Sequence, residues 1–157
     1  MKFFIFLFFL ISGHAFGFER VASEDQFKFP KRSNDLRLTH KIEKDISYLT
    51  VLDEKNKIIL KRASDYEDQS LVDAHIMKFK GISETFVVAL WYKGAHGQRI
   101  TITSLKSKKT VFEKNSSWPL DYKFEKNELV MDFLGDTQKN GLPEKNVIVL
   151  TGKDLIK

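Results

Sequence analysis

Glu84-Thr85-Phe86-Val87-Val88-Ala89-Leu90-Trp91-Tyr92 is the stretch that decides the fold. From Phe86 to Tyr92 every side chain is apolar, and the run is rich in β-branched and aromatic residues. A strand with one wet face alternates apolar and polar positions. This one has no polar position to give to water, so it reads as the central strand of a sheet covered on both sides.

The flanks support a sheet. His75-Ile76-Met77-Lys78-Phe79-Lys80 alternates until Gly81 interrupts it. Beyond the run, Lys93-Gly94-Ala95-His96-Gly97-Gln98 is a turn with two glycines suited to positive φ. Arg99-Ile100-Thr101-Ile102-Thr103 then alternates, with Ile100 and Ile102 expected inward and Arg99, Thr101 and Thr103 outward. Ser107-Lys108-Lys109 turns the chain into Thr110-Val111-Phe112-Glu113. Further strands are expected at 46–52, 57–61, 121–125, 128–133 and 147–150, the first pair joined by Asp53-Glu54-Lys55-Asn56. Phe27 and Phe29 suit a short edge strand ended by Pro30. No apolar pattern holds at i, i+3, i+4, i+7 beyond two turns. The expected fold is mainly β, an antiparallel sandwich or barrel of roughly eight or nine strands.

The first residues set the compartment. Lys2 precedes nine apolar residues, Phe3 to Ile11, and Ala15-Phe16-Gly17 forms a small-x-small site. These are the parts of a secretory signal peptide, with cleavage expected after Gly17. Nine residues of helix span about 14 Å, half of a ~30 Å hydrocarbon core, so the run is too short for an anchor. The expected organisation is a signal peptide over 1–17, a poorly patterned segment over 18–45 and a β domain over 46–157, with no membrane span in the mature form.

Composition narrows the classes. The 157 residues hold 42% hydrophobic and 30% charged residues, three prolines and eight glycines, which excludes disordered and collagen-like chains. No cysteine is present, so disulfide scaffolds, thiolate metal sites and thiol nucleophiles are excluded. Export without cysteine points to a bacterial periplasm or exterior. Loss of the signal removes Lys2 and no acid, taking the net charge from +5 to +4. That excess is too small to argue for nucleic acid.

Four stretches carry possible chemistry. Asp136, Gln138 and Asn140 at alternating positions, followed by Gly141 and Glu144, resemble the calcium loops of EF-hands and of secreted β-propeller repeats. Lys139 inside the loop and neutral Gln138 and Asn140 weaken such a site, and Asn140-Gly141 is also a strong plain turn signal. Calcium is the one cofactor the sequence raises. The turn at 93–99 would present His96, Gln98 and Arg99 at a hairpin tip, and Trp118 lies in the loop Ser116-Ser117-Trp118-Pro119. Together they form the candidate binding loop. Gly97-Gln98-Arg99-Ile100 resembles, over those residues alone, one family of periplasmic lysozyme inhibitors, whose loop-closing cysteine pair is absent here. Asp73 and His75, two apart in an extended segment, share a face as a couple or half a metal site.

No Gly-x-Ser-x-Gly, phosphate-cradling glycine loop or His-Glu-x-x-His occurs, and no catalytic residue is assigned. The expected function is therefore exported, non-enzymatic binding of an envelope protein or glycan, with inhibition of or immunity against an envelope-attacking enzyme as the concrete form. The competing readings are an envelope structural or assembly factor, a glycan-binding protein, and a small hydrolase using scattered acids such as Asp132 and Asp136.

Overall fold

A computed structural model describes residues 31–33, 35–65, 70–94, 97–137, 141 and 143–156. The expected signal peptide and the Phe27/Phe29 strand lie outside them. No helix among the described residues is long and apolar enough to cross a membrane.

Short turns between alternating segments build three antiparallel meanders in chain order. The first sheet runs β1 (Lys31–Ser33), β2 (Leu36–Glu43), β3 (Ile46–Leu52) and β4 (Ile58–Ala63). The second runs β5 (Leu71–Lys78), β6 (Thr85–Lys93), β7 (Gly97–Ser104) and β8 (Thr110–Ser116). The third places β10 (Glu128–Thr137) between β9 (Leu120–Glu125) and β11 (Pro143–Thr151). Turn chemistry fixes the registers. Lys44 (φ 50°) with Asp45 (φ 63°), and Lys126 (φ 49°) with Asn127 (φ 68°), are left-handed pairs of the kind that match strand twist in two-residue hairpins. Asp53 Oδ1 accepts from the N–H groups of Lys55 (2.9 Å) and Lys57 (2.8 Å), with Asn56 at φ 61°, and so holds the β3–β4 turn.

The sheets stack as three layers. On one face of the second sheet, Val87, Ala89 and Trp91 pack with Leu38, Leu49, Val51 and Leu60 of the first. On the other, Phe86, Val88, Leu90, Ile100 and Ile102 pack with Leu120, Leu129, Met131 and Phe133 of the third. β6 is hydrogen-bonded to β5 and β7 and is buried from Phe86 to Trp91. It is the central strand the sequence predicts, and its neighbours on both faces explain the absence of polar positions.

The structure corrects the strand count and the choice of architecture. Eleven strands are present among the described residues, and none of the three sheets closes into a barrel. The sandwich form holds, with one layer more than the simplest. β1 and β2 fall in the 18–45 segment, so the sheet begins before Ile46. In β2, Leu36, Leu38, His40 and Ile42 do alternate, but the third inward position is a histidine. Half-buried His40 contacts Ser47 Oγ through Nε2 at 2.8 Å. Arg99, Thr101 and Thr103 are not outward-facing: each is at most 9% exposed, because the first sheet covers that side of β7.

Candidate functional site

The registers bring several connections to one end of the middle sheet. Lys93 pairs with Gly97 across the β6–β7 turn, and Gln98 pairs with Ser116 at the end of β8. The ends of β6 and β7, with Gly94 following β6, and the corner at 117–119 therefore lie side by side. Gly94 takes φ 64°, the positive angle expected. Gly97 is needed for a different reason: a Cβ there would stand 2.8 Å from the Lys93 carbonyl oxygen and 3.1 Å from that of Ser116. Ala95 and His96 lie outside the described residues.

The corner is held from below. Gln98, buried, accepts a hydrogen bond from the Leu120 N–H at 2.6 Å. Ser116 Oγ donates to the Leu134 carbonyl at 3.4 Å and accepts from the Trp118 N–H at 3.2 Å. Lys93 Nζ donates to Asn115 Oδ1 at 3.4 Å across the same end. Two bonded strand ends thus fix the backbone at Trp118, a residue 42% exposed. An aromatic ring presented on a rigid corner offers large contact area at low ordering cost. Trp91, by contrast, is core and donates through Nε1 to Thr101 Oγ1 at 3.1 Å.

The four residues of the candidate binding loop therefore separate. Trp118 is at the surface, Gln98 is the buried support beneath it, and His96 is outside the described residues. Arg99 points between the first and second sheets, where its guanidinium pairs with Asp65 and lies 3.9 Å from Glu113. Alternation along β7 is the physical reason: successive residues face opposite layers, so Gln98 and Arg99 cannot share a tip.

The calcium candidate closes the β10–β11 hairpin. Asp136 belongs to β10 and Glu144 to β11, where Glu144 is exposed and its carbonyl accepts from Asn146 Nδ2 at 3.3 Å. Gln138 and Asn140 lie outside the described residues. Gly141 takes φ 80°, as a turn glycine does. Among the described residues no group of three or more histidines or acids is arranged to hold a metal.

Asp73 and His75 do meet, and they have a third partner that sequence spacing did not reveal. Asp73 Oδ2 lies 2.9 Å from His75 Nε2 and accepts from the Tyr122 hydroxyl at 3.1 Å, while Oδ1 accepts from the Ala74 N–H at 2.8 Å. The His75 and Tyr122 rings meet edge to face at 5.9 Å. Burial, reinforced by the Asp73 carboxylate, pushes the Tyr122 phenol far above its ordinary value and keeps it protonated. The cluster ties β5 to β9 and so fastens the second sheet to the third. It flanks a groove of about 400 Å³ that Met77, Phe124 and Leu129 also line.

Comparison with family models, with curated proteins and with solved structures finds no match for this chain.

Proposed function

We propose that the protein is an exported bacterial binding protein with no reaction of its own, and that it grips another macromolecule of the envelope through the end that carries Trp118. Inhibition of, or immunity against, an envelope-attacking enzyme is the concrete form of this role. The observation that carries the reading is the placement of Trp118: exposed, on a corner whose backbone is locked by Gln98 and Ser116, beside the Gly94 turn. Buried-core aromatics stabilise folds, whereas an exposed tryptophan on a fixed support is the kind of side chain that anchors a partner. The apolar run at 3–11 and the site at Ala15-Phe16-Gly17 support export, and the +4 charge of the remaining chain suits a partner with an acidic surface.

The test has two parts. Mass spectrometry of the exported form should find residues 1–17 removed; an intact start methionine on soluble material inside the cell contradicts export. Immobilised wild-type protein should retain one stoichiometric protein from periplasmic extract, and the Trp118→Ala variant should lose it. Retention of nothing, or equal retention by the variant, contradicts the assigned surface.

A further inference from the structure

The first and second sheets separate along the β4 and β7–β8 side and leave a cavity of about 200 Å³. Leu60, Val87, Ala89 and Trp91 form its apolar wall. Polar groups line the rest, beside these on the same two sheets: Arg62 next to Leu60 on β4, Arg99, Thr101 and Thr103 of β7 paired with Trp91, Ala89 and Val87, and Glu113 of β8, with Asp65 following β4. At roughly 30 Å³ per water, the space equals about six or seven waters, the size of one six-membered ring with its hydroxyls.

Two arginines and two acids face this space, while Lys61 at its edge turns its Nζ over the Tyr48 ring. The Arg99 guanidinium, 10% exposed, is neutralised by Asp65 and faces Glu113 at 3.9 Å. Arg62 donates to the Lys108 carbonyl. The two carboxylates stand at the mouth, with side chains 53% and 44% exposed. An anion entering would meet both acids, and a cation would meet both arginines. A neutral ligand that donates to the carboxylates and accepts from the arginines meets no such opposition.

The polar lining also keeps unused capacity. Arg62 and Arg99 each have a buried Nε with no hydrogen-bond partner. Thr103 is 4% exposed and lines the same space. Buried polar groups are normally satisfied, so donors left open beside a cavity mark a place for hydroxyls from outside. We infer that the cavity between the first two sheets binds a single neutral sugar ring. Its hydroxyls are exchanged with Asp65, Glu113 and the Thr103 hydroxyl, and its C–H face rests on the Leu60–Trp91 wall. The site is separate from the Trp118 end, so either can fail alone.

Trp91 gives a direct readout. In the Trp118→Phe background it is the one tryptophan left. Methyl glucoside, methyl galactoside and methyl mannoside are titrated against that variant, with acetate and inorganic phosphate as anions. At least one glycoside should give a saturable change in Trp91 emission with a dissociation constant near ~1 mM, as expected for so few atoms. Thr103→Val, which keeps volume and removes the hydroxyl, should weaken it about tenfold while the melting temperature holds. A linear oligosaccharide of the bound sugar distinguishes two sources of the same ring: tighter binding assigns a glycan end, and equal binding assigns a free sugar. No saturable change with any glycoside overturns the inference. So does saturation by acetate or phosphate alone, or undiminished binding by a folded Thr103→Val protein.

Discussion

Val87 and Val88 are neighbours in sequence but belong to different cores, and truncating each tests the layered architecture. Both are 1% exposed, Val87 against the first sheet and Val88 against the third. Each Val→Ala change removes two methyl groups, about 1.6 kcal/mol of transfer free energy at ~0.8 kcal/mol per group. The space left behind adds a cavity term, for a total of about 2–3 kcal/mol per site. The two side chains share no packing partner in these clusters, so the double variant should lose about 4–6 kcal/mol, with the coupling between these chain neighbours read directly from the double-mutant cycle. Against a typical total of ~5–15 kcal/mol, that brings the fold near its limit. Urea unfolding followed by Trp91 emission in the Trp118→Phe background measures each loss as a shift in midpoint at constant slope. If one face of β6 were solvated, its valine would cost less than about 0.5 kcal/mol. Such an asymmetry would refute the three-layer account.

Other outcomes follow from single contacts. Gln98→Ala leaves the Leu120 N–H without its 2.6 Å acceptor and should cost ~1–3 kcal/mol in urea unfolding. Gly97→Ala forces a Cβ to within 2.8 Å of the Lys93 carbonyl oxygen; it should cost ~1–3 kcal/mol and weaken partner retention by shifting the end of β7. Burial holds the half-buried His40 imidazole below its ordinary value of 6.5. The unfolded chain therefore takes up the proton more readily, so the stability tied to neutral His40 is present above pH 6.5 and is lost as pH falls through the lower folded value. Melting between about pH 8 and pH 5 should show a smaller loss in His40→Gln than in the wild type, and identical losses would remove His40 from the acid response.

Much of the sheet was readable because its signals are local. The unbroken apolar run at 86–92 identified a strand covered on both faces, and Lys126-Asn127 marked its hairpin by position between two alternating segments. β2 escaped notice because an inward histidine and flanking charges hide its alternation, and its partner Ser47 is found only by folding. The inward burial of Arg99, Thr101 and Thr103 was also unreadable. A polar residue on an alternating strand looks solvated until a second sheet is laid over it. For the same reason the candidate site was half legible. Trp118 stood out as a loop aromatic, whereas Gln98 resembles a surface residue in sequence and is a buried support in space. Tyr122 lies 49 positions from Asp73, and no local spacing connects them.

Placing a photo-activatable crosslinking residue at exposed Ser117, beside an intact Trp118, in protein otherwise unchanged and expressed in its own cells, tests the binding account most directly. The account predicts one dominant adduct with a single envelope macromolecule, absent when the same residue sits at outward Thr50 on the first sheet. Equal labelling at both positions, or no adduct at 117, would contradict it.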